Sequence, residues 1–128
     1  MFRARTGAAK EEIRAELADR FGYDLARTVA GVHPHHLFDV SCDGSVPEAV
    51  LCFLESRDHE GAVRLAVSLG GDADTQAAIA GGIAEAHHGG VAPDVAAETR
   101  RRLPPDLRDV LDRFTDRFVK ERMPAVAE

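Results

Sequence analysis

Apolar residues recur at helical spacing along most of the chain. Ile13, Leu17 and Phe21 follow one another at every fourth position, which places them on one face of a helix. Gly22 comes directly after them and is a residue typical of a helix C-terminus. No segment alternates apolar and polar residues over enough positions to predict a strand. The pattern therefore predicts an all-α fold, a compact orthogonal bundle of about six helices.

Capping residues, proline and glycine mark the predicted helix boundaries. At residues 45–48 the sequence SVPE matches a capping box, in which the Ser45 and Glu48 side chains bond each other's backbone N–H. Asp58 is a candidate cap for the following helix, and a pair of glycines ends it at residues 70–71. Further helices are predicted at residues 74–88 and 93–102, and after the proline pair at 104–105.

The predicted helix at residues 75–88 has an unusual composition. Its body reads AAIAGGIAEA and is apolar on nearly every side, which is typical of a helix enclosed by others. Gly81 and Gly82 lower helix propensity by roughly 1 kcal/mol each relative to Ala, so close packing is the better explanation for them. A chain of this length has few elements to surround the helix. We therefore expect something else to cover part of it.

Composition and charge exclude several classes of protein. The 128 residues fit one domain, with 45% hydrophobic residues and a formal net charge of −6. The acidic balance argues against a protein that binds duplex nucleic acid, and no apolar run is long enough for a membrane span. The first residues lack the apolar stretch of a secretory signal, and two cysteines are too few for a disulfide scaffold. A cytoplasmic location is expected.

The segment GGDADT at residues 70–75 carries the clearest chemistry. Asp72 and Asp74 are two positions apart, so in a turn their side chains can converge on one cation, with the Thr75 hydroxyl beside them. Hard oxygen donors suit Mg²⁺, Mn²⁺ or Ca²⁺. The alternative is a helix cap, since Asp is a preferred residue at the start of a helix. Chemistry alone leaves both interpretations open.

Two stretches of the sequence resemble the ADP-ribosylglycohydrolases, the enzymes related to dinitrogenase reductase-activating glycohydrolase. Residues 66–84, AVSLGGDADTQAAIAGGIA, are close to the C-terminal signature of that family, and they depart from it at Ala73, Gln76 and Gly82. Residues 39–49, DVSCDGSVPEA, are similar to a glycine-containing stretch that leads into a helix of the family. The order and spacing of the two stretches also fit.

The resemblance implies an all-α protein that binds two divalent cations, Mg²⁺ or Mn²⁺, and hydrolyses the glycosidic bond of ADP-ribose. Asp72, Asp74 and Thr75 match metal ligands of the family, and the two glycines before them match the turn that brings them to the metals. ADP-ribosylated substrates or ADP-ribose derivatives are the implied partners. The residues expected near the substrate are Gly70, Gly71, Cys42, Gly44, Ser45 and His88. The resemblance assigns no catalytic residue.

Part of the family's site has no counterpart in this sequence. The other ligands of the family come from a G-D opening and a T-D-D triplet, and the nearest string, TDR at residues 115–117, has one Asp and the wrong chain order. The chain therefore corresponds to the C-terminal portion of the family. It is a fragment, a half that a complementing N-terminal chain completes, or a non-catalytic helical module that binds a partner chain. A half-site predicts an uncovered flank on the 75–88 helix and association into a homo-oligomer.

A histidine cluster is the remaining polar feature. His33, His35 and His36 surround Pro34, which is expected to break the helical segment before it. The cluster could bind a transition metal. No cysteine or carboxylate is spaced to complete such a site, so a solvated turn is the favoured interpretation.

Overall fold

The structure, a computed structural model, describes residues 1–119 and confirms the all-α class. Eight α-helices and no strand occur within these residues. The helices are α1 (Phe2–Arg5), α2 (Lys10–Phe21), α3 (Val29–Val32), α4 (Cys42–Glu55), α5 (His59–Leu69), α6 (Ala73–His88), α7 (Pro93–Arg102) and α8 (Pro105–Phe114). The chain separates into one compact unit, Met1–Ala92, and a second that begins at Pro93. A single domain over residues 1–128 stays a prediction.

Helix α4 lies at the centre of the first unit. Its residues 49–54 are all buried, and Phe53 has no exposed surface. Lys10, the first residue of α2, donates to the carbonyl oxygens of Phe53 and Ser56, which lie at the C-terminal end of α4. A cation at that position complements the negative end of the helix dipole. The Lys10 contact therefore ties the start of α2 to the end of α4.

The predicted capping box at residues 45–48 is wrong. Helix α4 begins four residues earlier, because the Ser41 hydroxyl accepts a hydrogen bond from the Gly44 N–H and acts as the N-cap. The Ser45 hydroxyl donates instead to the carbonyl oxygen of Asp39. Glu48 pairs with Arg27, and so its carboxylate does not return to the helix start. Two serines at adjacent turns offered alternative caps, and the sequence pattern pointed to the wrong one.

Helices α5 and α6 pack against α4 through small residues. Asp58 caps α5 as predicted, since its carboxylate accepts from the Gly61 N–H at 2.7 Å. On α6, Gly81 is buried, and a Cβ added to it would lie 3.1 Å from a methyl group of Val63. The glycine therefore allows the two helices to approach closely. Ala78, on the other side of α6, is exposed.

Glycine and proline fix other helix ends in the first unit. Gly22 ends α2 in the left-handed conformation, with φ of 70°, as expected from the sequence. Pro34 does not stop the chain from coiling: after α3 the backbone continues as a 3-10 turn over His33–His35. Proline is tolerated there because the first residues of a helical turn need no backbone N–H donor.

The second unit contains α7, α8 and a π-helical turn over Thr115–Val119. An ion pair between Arg100 of α7 and Asp112 of α8 connects the two helices, with 2.6 Å between nitrogen and oxygen. Several large apolar residues of this unit are exposed, namely Leu107, Val110, Leu111, Phe114 and Phe118. Among the helices of residues 1–119, none is long and apolar enough to cross a bilayer.

Candidate functional site

The segment GGDADT forms the turn between α5 and α6. Gly70 and Gly71 have φ of 77° and 63°, in the left-handed region that other residues avoid. Helix α5 ends at this pair, and α6 begins directly after Asp72. The backbone therefore changes direction at the two glycines, and Asp72 and Asp74 follow at the start of α6.

Asp72 occupies the N-cap position of α6, but its side chain makes no capping hydrogen bond to the helix. Its carbonyl oxygen accepts from the Gln76 N–H, so its backbone begins the helix. The half-buried Asp72 side chain instead lies near the Asp74 carboxyl group, whose pKa it lowers. The interpretation of Asp72 as a simple helix cap therefore does not account for its carboxylate.

The exposed Asp74 carboxyl group lies at the centre of this arrangement. Its pKa is lowered, first by the hydrogen bond with the Asp72 side chain and then by the backbone N–H groups of Thr75 and of Asp74 itself. The distance from Asp74 Oδ1 to the Thr75 nitrogen is 3.0 Å. The two carboxylates lie side by side, and like charges placed together repel each other. A cation bound between them would offset that repulsion.

The donor set fits a hard divalent cation in part. Asp72, Asp74 and Thr75 supply three ligand side chains, whereas Mg²⁺ takes about six ligands. Within residues 1–119, no group of three or more His, Cys, Asp or Glu side chains is placed to hold a metal. Water or additional residues must therefore supply the other ligands of any cation bound here.

Gln76 and His36 form a contact that the sequence did not predict. Gln76 is completely buried on α6, and its side-chain Nε2 lies 2.9 Å from Nε2 of His36. His36 also lies against the glycine turn, because a Cβ added to Gly71 would be 2.9 Å from the same ring nitrogen. The sequence feature that could have indicated this contact is a long polar side chain, Gln76, among the small apolar residues of α6.

An open cavity of about 660 Å³ has His36 in its lining. It is lined by Ala26, Arg27, Thr28, Gly31, Val32, His35, His36, Leu37, Asp39, Gly44 and Glu48. Arg27 and Glu48 form an ion pair in this lining at 3.1 Å, and the Glu48 side chain is 12% exposed. The cavity therefore has a charged, hydrogen-bonded wall, and His36 joins it to the GGDADT turn.

The second stretch that carries the family resemblance contributes to the same cavity. Gly44 and Asp39 line it, and a Cβ on Gly44 would lie only 2.3 Å from Cγ of Asp39. The pKa of Asp39 is lowered, chiefly because its carboxylate accepts hydrogen bonds from Ser41. Of the other predicted substrate residues, Ser45 is buried beneath this turn and Cys42 is exposed beside it.

His88 lies at the opposite end of α6 from the carboxylates. At 1.5 Å per residue, the helix places it about 20 Å from Thr75. The pKa of His88 is lowered, first by burial and then by the charges of His87 and Lys10. The structure thus brings His88 together with the end of α4, away from the GGDADT turn.

The histidine cluster at residues 33–36 does not act as one group. His33 and His35 are exposed, whereas His36 is half-buried and turns toward Gln76. The favoured interpretation as a solvated turn holds for the first two. His36 instead belongs to the boundary between the cavity and the glycine turn.

Comparison with known proteins agrees with this arrangement. The family model for ADP-ribosylglycohydrolase matches residues 3–126, which is essentially the whole chain. Searches of curated proteins and of solved structures gave no match. The match covers both resembling stretches, which the fold brings to one region of the first unit, and the chain therefore belongs to the ADP-ribosylglycohydrolase family.

Proposed function

We propose that this chain carries part of the active site of a divalent-metal-dependent hydrolase that cleaves ADP-ribose glycosidic bonds. Membership of the family supports the reaction class. The observation that supports the metal site is the Asp72 carboxylate, which makes no hydrogen bond to the start of α6 and lies near Asp74 instead. A carboxylate that served only the helix would accept a backbone N–H.

Asp72, Asp74 and the Thr75 hydroxyl would hold Mg²⁺ or Mn²⁺, both of which prefer such oxygens. When bound, such cations bind ribose hydroxyl groups and activate a water molecule. The chain's own contribution is positional. The glycine turn fixes the direction of the two carboxylates, and the backbone N–H of Thr75 keeps Asp74 ionised by stabilising its charge.

The cavity beside His36 is the proposed site of the ADP-ribose group. It is large enough for part of a nucleotide, since ligand pockets commonly measure about 300–1,000 Å³. Gly44 leaves room where any side chain would collide with Asp39, and so backbone lies at the cavity surface. Gly70, Gly71, Cys42 and Ser45 would shape this region from behind or beside it.

The missing ligands define the second candidate function. Three ligand side chains from one chain cannot complete two cation shells, so a complementing N-terminal chain or another copy would have to supply the rest. The exposed carboxylates and the exposed Leu37 and Phe38 beside the cavity favour a surface that another chain completes. A non-catalytic helical module remains the alternative function, and a cytoplasmic location remains part of the proposal.

Cation binding tests the metal site directly. Isothermal titration of Mg²⁺ and Mn²⁺ into the purified chain should give a binding signal that is lost in Asp74→Asn. Asp106→Asn is the matched control, because Asp106 holds the same first-turn position in α8. The control should bind like wild type. No cation binding by wild type at millimolar concentration would refute the metal site.

Activity is tested separately, as release of ADP-ribose from an ADP-ribosylated protein in the presence of Mn²⁺. The proposal expects turnover that depends on both the cation and Asp74. Cation binding without turnover would favour the half-site that needs a complementing chain. Neither binding nor turnover would favour the non-catalytic module.

A further inference from the structure

We propose that Gln76 is a positioning residue that holds the His36 ring against the glycine turn, and that His36 thereby donates a hydrogen bond to an oxygen of the bound ligand. The inference rests on the proposed function, since the ligand is that of the same cavity. It concerns Gln76, where the sequence departs from the family signature that it otherwise resembles. His36, its partner, lies 40 positions away along the chain.

The contact determines which ring nitrogen carries the proton. An amide nitrogen can only donate, so the Nε2 of Gln76 must donate to the Nε2 of His36 at 2.9 Å. A ring nitrogen that accepts is unprotonated. The neutral His36 ring must therefore carry its hydrogen on Nδ1, which becomes the donor of the side chain.

The surroundings of the ring fix its place. Nε2 of His36 lies 2.9 Å from the point that a Cβ of Gly71 would occupy, and the Leu37 carbonyl oxygen lies 3.2 Å from the same point. With Nε2 directed to the turn and to Gln76, the ring borders the cavity that also contains Arg27 and Glu48. The ring therefore spans the boundary between the cavity and the segment that carries the carboxylates.

Stability of the core does not explain a glutamine at this position. Gln76 has no exposed surface, and its Oε1 is buried without a hydrogen-bond partner in the part of the chain that the structure describes. A buried polar atom left unpaired is unfavourable, whereas an apolar side chain of similar size would avoid that cost. The amide is therefore best explained by its hydrogen bond to His36.

The ligand group that His36 recognises is an oxygen acceptor, such as a hydroxyl or phosphate oxygen of ADP-ribose. Arg27 is the cation nearest to that role in the lining, but its guanidinium is already paired with Glu48 and Asp24. The imidazole is held in place by Gln76 and has a donor to offer. A pre-positioned donor gains affinity because no side-chain ordering is needed on binding.

Nitrogen NMR of histidine measures the tautomer without any ligand. In wild type at about pH 8, where most histidines are neutral, the His36 ring should show a protonated Nδ1 and an unprotonated Nε2. The signal is assigned by its loss in His36→Asn. Gln76→Glu should move the proton to Nε2, because a carboxylate can only accept there. A wild-type ring protonated on Nε2, or a tautomer that Gln76→Glu leaves unchanged, would overturn the positioning role.

Ligand binding provides the second readout, with ADP-ribose as the probe. His36→Asn and Gln76→Leu should each weaken binding about tenfold, the effect of one hydrogen bond. His33→Asn is the matched control, because His33 is an exposed neighbour outside the cavity lining, and it should bind like wild type. Equal affinity of wild type and His36→Asn would overturn the donor role of His36.

The two readouts keep the inference separate from the proposed function. If wild type binds no ADP-ribose, the proposed substrate and the donor role of His36 both fail, while the tautomer still confirms or refutes the action of Gln76. If Gln76→Leu does not fold, His36→Asn and Gln76→Glu decide the question. If Gln76 served only the stability of the core, the tautomer of His36 would be the same in wild type and in Gln76→Glu.

Discussion

Replacing Gly71 with alanine tests the contact between the glycine turn and His36. Gly71 has φ of 63°, and its added Cβ would lie 2.9 Å from Nε2 of His36. The substitution thus imposes two separate costs, one from the backbone and one from the overlap. Gly22 has a similar φ of 70° and nothing within 4 Å of an added Cβ. Gly22→Ala therefore measures the backbone cost alone.

The expected magnitudes follow from these contacts. A left-handed conformation costs a residue with a Cβ roughly 1–2 kcal/mol, so Gly22→Ala should lower the free energy of unfolding by that amount. In Gly71→Ala the imidazole must also move away from its hydrogen bond with the buried Gln76. Loss of that bond costs about 1 kcal/mol, and overpacking costs about 1–3 kcal/mol. Gly71→Ala should therefore destabilise the protein by about 2–4 kcal/mol more than Gly22→Ala.

Urea denaturation followed by circular dichroism gives the free energies of unfolding of wild type, Gly71→Ala and Gly22→Ala. For a unit of about this size, each kcal/mol also corresponds to roughly 4–8 °C in Tm. The double variant Gly71→Ala/His36→Ala, compared with His36→Ala, isolates the overlap with the ring. Removing the ring should bring the cost of the alanine at position 71 down toward that at position 22, with only the 3.2 Å approach to the Leu37 carbonyl oxygen left. If Gly71→Ala and Gly22→Ala are equally destabilising, the close approach of His36 to the turn is refuted.

Two further predictions concern the core of the first unit. The thiol of Cys52 should resist alkylation in the folded protein, whereas the exposed Cys42 should react. Burial raises the pKa of Cys52 to about 12, and alkylation needs the thiolate. Mass spectrometry after iodoacetamide treatment measures the labelling of each cysteine, and equal labelling would contradict the prediction. Phe53→Ala should lower the free energy of unfolding by about 3–5 kcal/mol because the ring is fully buried, whereas Phe21→Ala, at a position 53% exposed, should cost far less. Denaturation of the two variants in parallel would show equal losses if the burial were misassigned.

The sequence predicted the fold class and many helix ends because both depend on local interactions. Gly22 and Asp58 act within one turn of the helix they bound, and so a capping residue or a left-handed glycine can be identified from its neighbours. The same reasoning from neighbouring residues wrongly predicted Ser45 as the N-cap of α4. Ser41 offers an equivalent hydroxyl one turn earlier, and the pairing of Glu48 with Arg27 decides between the two.

Contacts between distant positions account for what the sequence did not predict. His36 and Gln76 are 40 positions apart, and the ion pair of Arg27 with Glu48 spans 21. Helical periodicity places a residue on a face but does not identify its partner on another element. The carboxylates of the GGDADT turn were candidates because their types and spacing carry the chemistry. Their place at the first turn of α6 follows two glycines of positive φ, a turn that the sequence indicated.

The separation of core and candidate site makes the metal experiments interpretable. The interior is formed by α4, α5 and α6 around Phe53, whereas Asp72 and Asp74 lie at the surface of the turn. Burial of apolar surface dominates folding, so we expect changes to the carboxylates to alter cation binding without unfolding the chain. Gln76 is the exception, since it is completely buried and also contacts the site through His36. For variants of Gln76, the free energy of unfolding and the tautomer of His36 must therefore both be measured.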